Sequence, residues 1–389
     1  MNKNLLVIAG EASGDLHGAS LIRELIRIDN SISVCGIGGS RMQAEGMELL
    51  FNINQMAFLG FAEIIRHIPF IKKVQARLLE EVRKRNIKTV VLIDYPGFNL
   101  SIADKLKKLG VRIIYYISPQ VWAWGKGRIK KIRRVVDKMI VILPFEEKFF
   151  RNAGIEVEYI GHPLLEQIEN YKYLSREEFY KKFSLDENKK ILLVLPGSRM
   201  QEVRKIFPEA ISAAGMLAAE FDLQVVVACS SNIDESVFRE LSPEGNFAVI
   251  KEHTYDLYKQ AELGIIKSGT STLEAALFSL PMVVVYVTNY LTYLIGRNLI
   301  RIDNISLVNI VADERIIDEL IQNDVNRRHI YEVCKGILAD RQKYEHIKEK
   351  LTSLHLSLGS TGVSKRGAEI VYDYLTDNSL KETKGKHKL

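Results

Sequence analysis

The first segment of this sequence that could do chemistry is glycine-rich. Residues 9–15, AGEASGD, contain Gly10 and Gly14. The polar side chains of the segment and of the residues just after it are Glu11, Ser13, Asp15 and His17. Glycines let backbone amides approach a sugar or a phosphate closely, and free amides at the start of a helix bind anions. An ordinary helix cap, in which Ser13 or Asp15 satisfies those amides, explains the same residues equally well.

A second candidate is the carboxylate in residues 93–99, IDYPGFN. Asp94 follows an apolar run that is typical of a strand, and it precedes a proline and glycine turn. A carboxylate at the carboxyl end of a strand is well placed to act as a general base. The alternative is that Asp94 binds the amides of its own turn, which is a common structural use of aspartate.

Two segments in the second half of the chain have the composition of an anion site. The segment LPGSR ends in Arg199, whose guanidinium can bind phosphate oxygens through two N–H groups. Residues 267–274, KSGTSTLE, place small residues where a helix is expected to begin. Glu274, one turn later, could accept hydrogen bonds from a ribose. A capping box with Ser271 or Thr272 at the cap is the structural alternative.

Aromatic and basic residues suggest two further contacts. Trp122 lies just past another predicted strand, where it could stack on sugar rings or acyl chains, and packing between the two halves of the chain is at least as consistent. Residues 58–82 carry apolar side chains at helical spacing with basic residues between them. Such a stripe is more often core, but it could also contact lipid. The residues assigned to that lipid contact are Phe61, Ile65, Ile68, Lys72 and Lys73.

The elements that must position these residues are short β-branched runs alternating with helical stretches. This alternation is typical of parallel sheets with helices on both faces. The predicted strands lie near residues 4–9, 32–36, 89–93, 112–117, 138–142, 156–160, 190–195, 224–229, 246–250, 263–266 and 282–287. The fold class is therefore α/β, with two Rossmann-like, doubly wound domains. Because ligands bind beyond the carboxyl ends of such strands, we expect the domains to face each other across a cleft.

The predicted domain boundaries are 1–165 for an acceptor and lipid domain and 190–345 for a nucleotide domain. The charged residues 171–190 are the candidate linker between them. A C-terminal helix near residues 361–376 is expected to pack back on the first domain, either its own or that of a partner chain.

Composition excludes several other classes of protein. The chain has 389 residues, 47% of them hydrophobic, which is enough for two cores. Its three cysteines are far apart, which argues against a disulfide framework and favours a reducing compartment. The eight histidines are scattered without ligand spacing, so no metal site is predicted. No apolar run is long enough to span a membrane, and the basic clusters lack the motifs of a nucleic-acid module.

Eight short segments, taken together, resemble the family of lipid-A-disaccharide synthases. They match that family in order and spacing from residue 5 to about residue 322. Each segment alone is weak, but eight in register are specific. The segments are AGEASGD at 9–15, GIGG at 36–39, IDYPGFN at 93–99, SPQVWAW at 118–124, LPFE at 143–146, GHP at 161–163, PGSR at 196–199 and SGT at 268–270.

The resemblance implies an inverting glycosyltransferase of the GT-B class. Its substrates would be UDP-2,3-diacylglucosamine and 2,3-diacylglucosamine 1-phosphate, and its products UDP and the β-1,6-linked lipid A disaccharide, with no metal or other cofactor. It also implies a peripheral position on the cytoplasmic face of the inner membrane and a possible homodimer.

The resemblance also assigns roles to residues. Asp94 and Arg199 would be catalytic, and Trp122 and Asn309 would bind substrate. The loop residues Glu11, Ser13, Asp15 and His17 would then face the reacting sugars rather than the nucleotide. The UDP site would comprise Gly197, Ser198, Arg199, Ser268, Gly269, Thr270 and Glu274.

Two other functions fit the same sequence. A UDP-GlcNAc 2-epimerase of the same fold would act on the sugar nucleotide without any acceptor. A noncatalytic nucleotide- or lipid-binding protein would bind UDP and form no product.

Overall fold

A computed structural model describes residues 3–56, 67–122, 126–288 and 304–377. The chain divides into two compact units. The first runs from the N-terminus to Pro163 and resumes at Ser360, and the second runs from Leu164 to Gly359.

The first unit is built on a parallel sheet. Its order is β3-β2-β1-β4-β5-β6-β7, which is the Rossmann order with one additional strand. The strands are β1 (Asn4–Ala9), β2 (Ser33–Gly38), β3 (Glu48–Asn52), β4 (Thr89–Ile93), β5 (Arg112–Tyr116), β6 (Lys138–Val141) and β7 (Val157–Tyr159). The helices are α1 (Ala12–Ile28), α2 (Ser40–Ala44), α3 (Ile68–Lys84), α4 (Pro96–Lys108), α5 (Ile129–Val135) and α6 (Pro144–Asn152), followed much later by α16 (Val363–Thr376).

Alternating side chains of β1 enter two separate cores, one on each face of this sheet. Leu6 and Ile8 pack with residues of α3, α4 and α5. Leu5 and Val7 pack with residues of α1 and α16. Because both faces are covered, every side chain of β1 from Leu5 to Ala9 is buried, which explains the unbroken apolar run in the sequence.

The C-terminal helix α16 packs on the first unit. It packs against α1, and its buried residues include Gly367, Ala368 and Val371. The Arg366 guanidinium fixes the start of this helix by donating to the carbonyl of Ile160 at 2.7 and 2.9 Å.

The second unit repeats the architecture. Its sheet has the order β10-β9-β8-β11-β12-β13, which is again the Rossmann order. Its strands are β8 (Lys190–Leu195), β9 (Leu223–Cys229), β10 (Ala248–Lys251), β11 (Ala261–Lys267), β12 (Met282–Tyr286) and β13 (Asp318–Ile321). Its helices are α7 (Leu164–Glu169), α8 (Arg176–Lys182), α9 (Met200–Phe221), α10 (Ser236–Leu241), α11 (Thr254–Gln260), α12 (Thr270–Leu277), α13 (Leu307–Ala312), α14 (Arg327–Leu338) and α15 (Arg341–Ser357).

Residues 171–190, predicted as a linker, are packed within this second unit. Phe179 and Tyr180 of α8 are fully buried. The Tyr171 hydroxyl donates to the Asp256 carboxylate at 2.7 Å, and the Leu174 amide donates to the same carboxylate at 3.0 Å. The charged composition that suggested a linker belongs to the exposed face of a short helix.

Two strands, β3 and β13, were not predicted from the sequence. Both lie at the edge of their sheet. Their sequences, ELLFN and DELI, carry acidic residues and are mostly only half-buried, so they lack the apolar β-branched runs of the inner strands. The eleven other strands of the two sheets form where they were predicted, with shifts of one or two residues at their ends.

The packing of α16 predicts opposite effects for two substitutions of helical glycines by alanine. A Cβ at Gly367 would lie 2.8 Å from a ring carbon of the buried Tyr116, so Gly367→Ala should destabilise the first unit by about 1–3 kcal/mol. A Cβ at Gly336 in α14 would meet nothing within 4 Å, so Gly336→Ala should stabilise its helix by about 0.5–1 kcal/mol. Urea unfolding measures both, with circular dichroism for Gly336→Ala and with tryptophan fluorescence for Gly367→Ala, since residues 164–359 of the second unit contain no tryptophan. A neutral Gly367→Ala would contradict the close packing.

Candidate active site

Asp94 lies at the carboxyl end of β4 in an unusual backbone conformation. Asp94 and Tyr95 have φ values of +42° and +45°, in the left-handed region that non-glycine residues avoid. Buried hydrogen bonds hold this turn. The Asp94 carbonyl accepts from the Tyr115 hydroxyl at 2.6 Å and from Asn99 Nδ2 at 2.8 Å. Backbone strain of this kind costs about 1–3 kcal/mol per residue and is concentrated at functional sites.

The environment of the Asp94 carboxylate raises its pKa above that of an ordinary aspartate. Burial raises its pKa, the nearby Glu11 carboxylate raises it further, and a hydrogen bond from the Tyr95 backbone offsets part of the effect, for a pKa of about 6. A carboxylate with this pKa is mostly ionised at neutral pH and still binds a proton more strongly than ordinary aspartate. These are the properties of a general base.

The glycine-rich loop packs against the Tyr95 ring. A Cβ on Gly10 would lie 2.2 Å from two ring atoms of Tyr95, so glycine is required there to accommodate the aromatic ring. Helix α1 begins at Ala12, with Glu11 at its cap and no side-chain cap hydrogen bond. Glu11 and Ser13 are exposed at this end of the helix, and His17 is half-buried one turn later.

Asp15 has a different role from the predicted one. It was expected to face the reacting sugars, but it is 4% exposed. Its carboxylate accepts hydrogen bonds from the amides of Gly39 at 2.7 Å, Met42 at 3.1 Å and Arg41 at 3.2 Å. These are the free amides at the start of α2, which attract a negative charge. Asp15 therefore joins α1 to the turn after β2. The GIGG segment before α2 was the signal for this role.

His162 is held as a neutral imidazole in the first unit. It is buried, and its burial together with the nearby His17 lowers its pKa to about 3. His17 is half-buried, so its side chain is more exposed to solvent than that of His162.

Glu146 holds the loop after β5 through hydrogen bonds. This residue ends the LPFE segment, and the sequence alone did not predict a role for it. The Glu146 carboxylate accepts from the Ser118 hydroxyl at 2.5 Å, from Trp122 Nε1 at 3.0 Å and from the Leu143 amide at 3.2 Å. Burial raises the pKa of Glu146 to about 7. The Trp122 ring also packs edge-on against Phe145, so its orientation is fixed on two sides.

The second unit contains a cavity of about 390 Å³ at the carboxyl ends of β8 and β11. Its volume is within the range of small-molecule sites. All of the residues predicted to bind UDP line it, namely Gly197, Ser198, Arg199, Ser268, Gly269, Thr270 and Glu274. Glu202, Thr254 and Tyr258, which the sequence did not identify, also line the cavity, as does Lys267, which belongs to the predicted 267–274 segment but had no role of its own.

The capping-box alternative for Glu274 is not what the structure contains. Helix α12 begins after Gly269, without a side-chain cap. Thr272 donates instead to the Gly269 carbonyl, and Ser271 donates to the Lys267 carbonyl. Glu274 accepts from the Tyr258 hydroxyl at 3.3 Å, and burial raises its pKa. Glu274 is therefore directed to the cavity wall by a tyrosine rather than to the helix cap.

Asn309, predicted to bind substrate, has a structural role. It is fully buried in α13. Its amide nitrogen donates to the Ile317 carbonyl at 2.9 Å and to Glu319 Oε1 at 2.8 Å. Its oxygen accepts from the amides of Ile316 and Ile317. All of these partners belong to the turn before β13 or to β13 itself, so Asn309 anchors that edge strand.

Only part of the predicted lipid contact can be placed. Phe61 and Ile65 lie outside the described residues. Ile68 is 41% exposed at the start of α3, and Lys72 and Lys73 are exposed further along the same helix. The later apolar positions of the stripe, including Val74, Leu78 and Val82, are buried in the core of the first unit. For α3, the apolar side of the stripe is therefore mainly core and the basic side faces solvent.

The described part of the chain holds no cluster of three or more histidine, cysteine, aspartate or glutamate residues arranged to bind a metal ion. Cys35, Cys229 and Cys334 are buried free thiols. None of the helices formed by the described residues has the length and apolar character needed to cross a bilayer.

Two Rossmann sheets, one with a nucleotide-sized cavity at the carboxyl ends of its strands, define the GT-B class of α/β proteins. Solved structures agree with this class. The putative UDP-N-acetylglucosamine 2-epimerase from Listeria monocytogenes superposes with a TM-score of 0.66 at 10% identity, covering 96% of this chain and 97% of that one. CalG4, the calicheamicin glycosyltransferase, superposes with a TM-score of 0.61 at 14% identity, covering 97% and 99%.

Sequence relatives define the family. The family model of lipid-A-disaccharide synthetase matches residues 5–371. The lipid-A-disaccharide synthase of Geobacter metallireducens is 38% identical over 377 residues, covering 96% of this chain and 98% of that protein. This chain belongs to the lipid-A-disaccharide synthase family, and it is an enzyme of the glycosyltransferase class with a role in lipid A disaccharide formation. The fold class and the family predicted from the sequence are thereby confirmed.

Proposed function

We propose that this chain transfers 2,3-diacylglucosamine from UDP to the 6-hydroxyl of 2,3-diacylglucosamine 1-phosphate, releasing UDP and lipid A disaccharide 1-phosphate. The observation that carries the proposal is the family match over residues 5–371. The cavity lined by the predicted UDP-binding residues supports it independently.

Asp94 is the proposed general base. As the 6-hydroxyl oxygen of the acceptor forms its bond to the anomeric carbon, Asp94 takes the hydroxyl proton, and the bond from that carbon to the UDP oxygen breaks. A single displacement inverts the anomeric configuration. The raised pKa of Asp94 and its strained, hydrogen-bonded backbone support this role. Glu11, Ser13, His17 and Trp122 are proposed to position the acceptor, whereas Asp15 and Asn309 are assigned to the scaffold.

Arg199 and the N-terminus of α12 are proposed to stabilise the departing diphosphate. The Arg199 side chain is 81% exposed, so it can move to a ligand without breaking buried packing. The amides after Gly269 are free of a side-chain cap and can donate to phosphate oxygens. Glu274 is placed to accept from ribose hydroxyls. In this mechanism cationic and helix-terminal groups carry the charge of the leaving group, and no metal is required.

The location and assembly of the enzyme are further parts of the proposal. We place it on the cytoplasmic face of the inner membrane, where its acylated substrates would lie, with α3 contributing Ile68, Lys72 and Lys73 to the contact. Exposed lysines next to an apolar side chain suit an anionic lipid surface. We also propose that the enzyme forms a homodimer and that it does not bind nucleic acid.

Removal of the proposed base gives the first functional prediction. Asp94→Asn should lower turnover by about 100-fold or more, because general base catalysis is lost. Its affinity for UDP should be unchanged, since the UDP-binding residues lie in the second unit. Mass detection of disaccharide from the two acylated substrates measures turnover, and calorimetry measures UDP binding.

The matched control is Asp104→Asn. Asp104 lies later in α4 and forms surface ion pairs with Lys131 and Arg134, so turnover should be retained. Full turnover in Asp94→Asn would remove Asp94 as the base. Turnover of UDP-GlcNAc without an acceptor would indicate an epimerase, and UDP binding without any product would indicate a binding protein.

The pH dependence of the reaction should report the pKa of Asp94. Only the ionised carboxylate accepts a proton, so kcat/KM should be constant at neutral pH and fall about tenfold per pH unit below a pH of about 6. Glu11→Gln removes a like charge and thus lowers the pKa of Asp94, so the acid limb should move to lower pH. Glu24→Gln, at an exposed α1 pair with Arg27, serves as the control and should leave the limb in place. An unshifted limb in Glu11→Gln would show that the Glu11 charge does not act on the base.

Membrane contact by α3 can be tested without altering either site. The double variant Lys72→Glu and Lys73→Glu should weaken binding to phosphatidylglycerol vesicles by about tenfold or more, because each lysine near an anionic surface contributes about 1 kcal/mol. Lys181→Glu with Lys182→Glu, a similarly exposed pair on α8, is the control and should bind normally. Vesicle cosedimentation measures both. Equal binding by the two variants would exclude α3 as the contact.

A further inference from the structure

An ion pair between Lys267 and Glu202 lies in the wall of the 390 Å³ cavity of the second unit. The proposed function gives it no role. Lys267 is the last residue of β11, and Glu202 lies in the first turn of α9. The Lys267 ammonium lies 2.9 Å from Glu202 Oε1, and the two side chains are only 17% and 13% exposed. Both residues line the cavity beside the residues predicted to bind UDP.

Several donors converge on the Glu202 carboxylate. Oε2 accepts from the amides of Ser198 at 3.3 Å and Arg199 at 3.4 Å. The Arg199 guanidinium lies 3.7 Å from Oε1. A Cβ on Gly197 would lie 2.7 Å from Oε2, so glycine leaves room for the carboxylate. Loop amides at a helix N-terminus together with an arginine and a lysine are the donors that usually hold a phosphate group.

A capping box accounts for only part of this arrangement. Glu202 is the third residue of α9, and its contact with the Arg199 amide is that of an ordinary capping residue. The cap would be complete without Lys267. This lysine ends β11, and its Nζ atom lies over the Tyr286 ring, 5.7 Å from the ring centroid. The partner of this lysine is therefore a carboxylate that belongs to the protein.

We propose that the Glu202 carboxylate is a resident anion that occupies the diphosphate subsite when no nucleotide is bound, and that Lys267 is a further diphosphate ligand. On binding, the diphosphate replaces Glu202 as the partner of Lys267 and of the Ser198 and Arg199 amides. On product release, Glu202 takes the donors back, so that a well-desolvated lysine never lacks a counter-charge. This inference rests on the proposed UDP site, and it adds a competition between the protein's own carboxylate and the nucleotide.

The two residues should then affect nucleotide binding in opposite directions. Lys267→Met keeps the aliphatic stem and removes the charge, so affinity for UDP should fall by about tenfold or more while affinity for uridine is unchanged. Glu202→Gln keeps the shape and the cap oxygen but removes the competing negative charge. Its affinity for UDP should rise by about threefold to tenfold, again without a change for uridine. In a Lys267→Met background the gain from Glu202→Gln should shrink, because the two residues act as one unit.

Calorimetric titration of the full chain with UDP, UMP and uridine measures these effects. Lys190→Met and Glu262→Gln are the control variants, because this lysine–glutamate pair joins β8 to β11 at 2.8 Å and neither residue lines the cavity. Urea unfolding of each variant separates lost binding from lost folding.

Each outcome bears on a different part of the proposal. Unchanged UDP affinity in a folded Lys267→Met would remove Lys267 as a ligand. Weaker UDP binding in Glu202→Gln would make Glu202 a plain structural cap and overturn the competition. Failure of the unaltered protein to bind UDP would instead overturn the proposed nucleotide site itself.

Discussion

The constraint on which this molecule depends is that all strands in each of its two sheets run parallel. A parallel sheet collects the carboxyl ends of its strands at one edge, and every strand must be followed by a crossover that starts at that edge. In the first unit this rule brings together the loops after β1, β4 and β5, which carry Glu11, Asp94 and Trp122. In the second unit it brings the loops after β8 and β11 to one cavity.

Buried and half-buried carboxylates shape these loops. Asp15, Glu146 and Glu202 each accept N–H or O–H groups from a neighbouring segment, and each fixes that segment relative to a helix start. Asp94 differs, because its carbonyl rather than its carboxylate carries the structural hydrogen bonds. A carboxylate can therefore serve as scaffold, as Asp15 does, or be left with few donors, as Asp94 is in its proposed role as base. Asp15 accepts three backbone amides, whereas the Asp94 carboxylate accepts a backbone hydrogen bond from Tyr95.

The sequence predicts best the features that depend on local pattern. Inner strands such as β1, β8 and β12 are buried on both faces and appear as unbroken apolar runs, so their positions were evident. The edge strands β3 and β13 are half-exposed and have no such pattern.

The roles of Asp15 and Asn309 were missed for a different reason. Their partners come from other turns of the fold, such as the Gly39 amide 24 residues beyond Asp15, and spacing along the chain does not identify them.

The position of Asp94 was predictable, but its chemical character depends on backbone geometry that no motif displays. Asp94 and Tyr95 both adopt left-handed conformations ahead of Pro96, which starts α4. The Tyr115 hydroxyl and the Asn99 amide compensate by binding the Asp94 carbonyl, and the Tyr95 ring covers Gly10 at the start of the adjacent loop. Burial raises the pKa of Asp94 to about 6, and the charge of Glu11 contributes to the increase. Glu11 lies in the loop after β1, so the chemical character of Asp94 depends on a loop that is about 80 residues away in the sequence and is brought close because β1 and β4 are neighbours in the sheet.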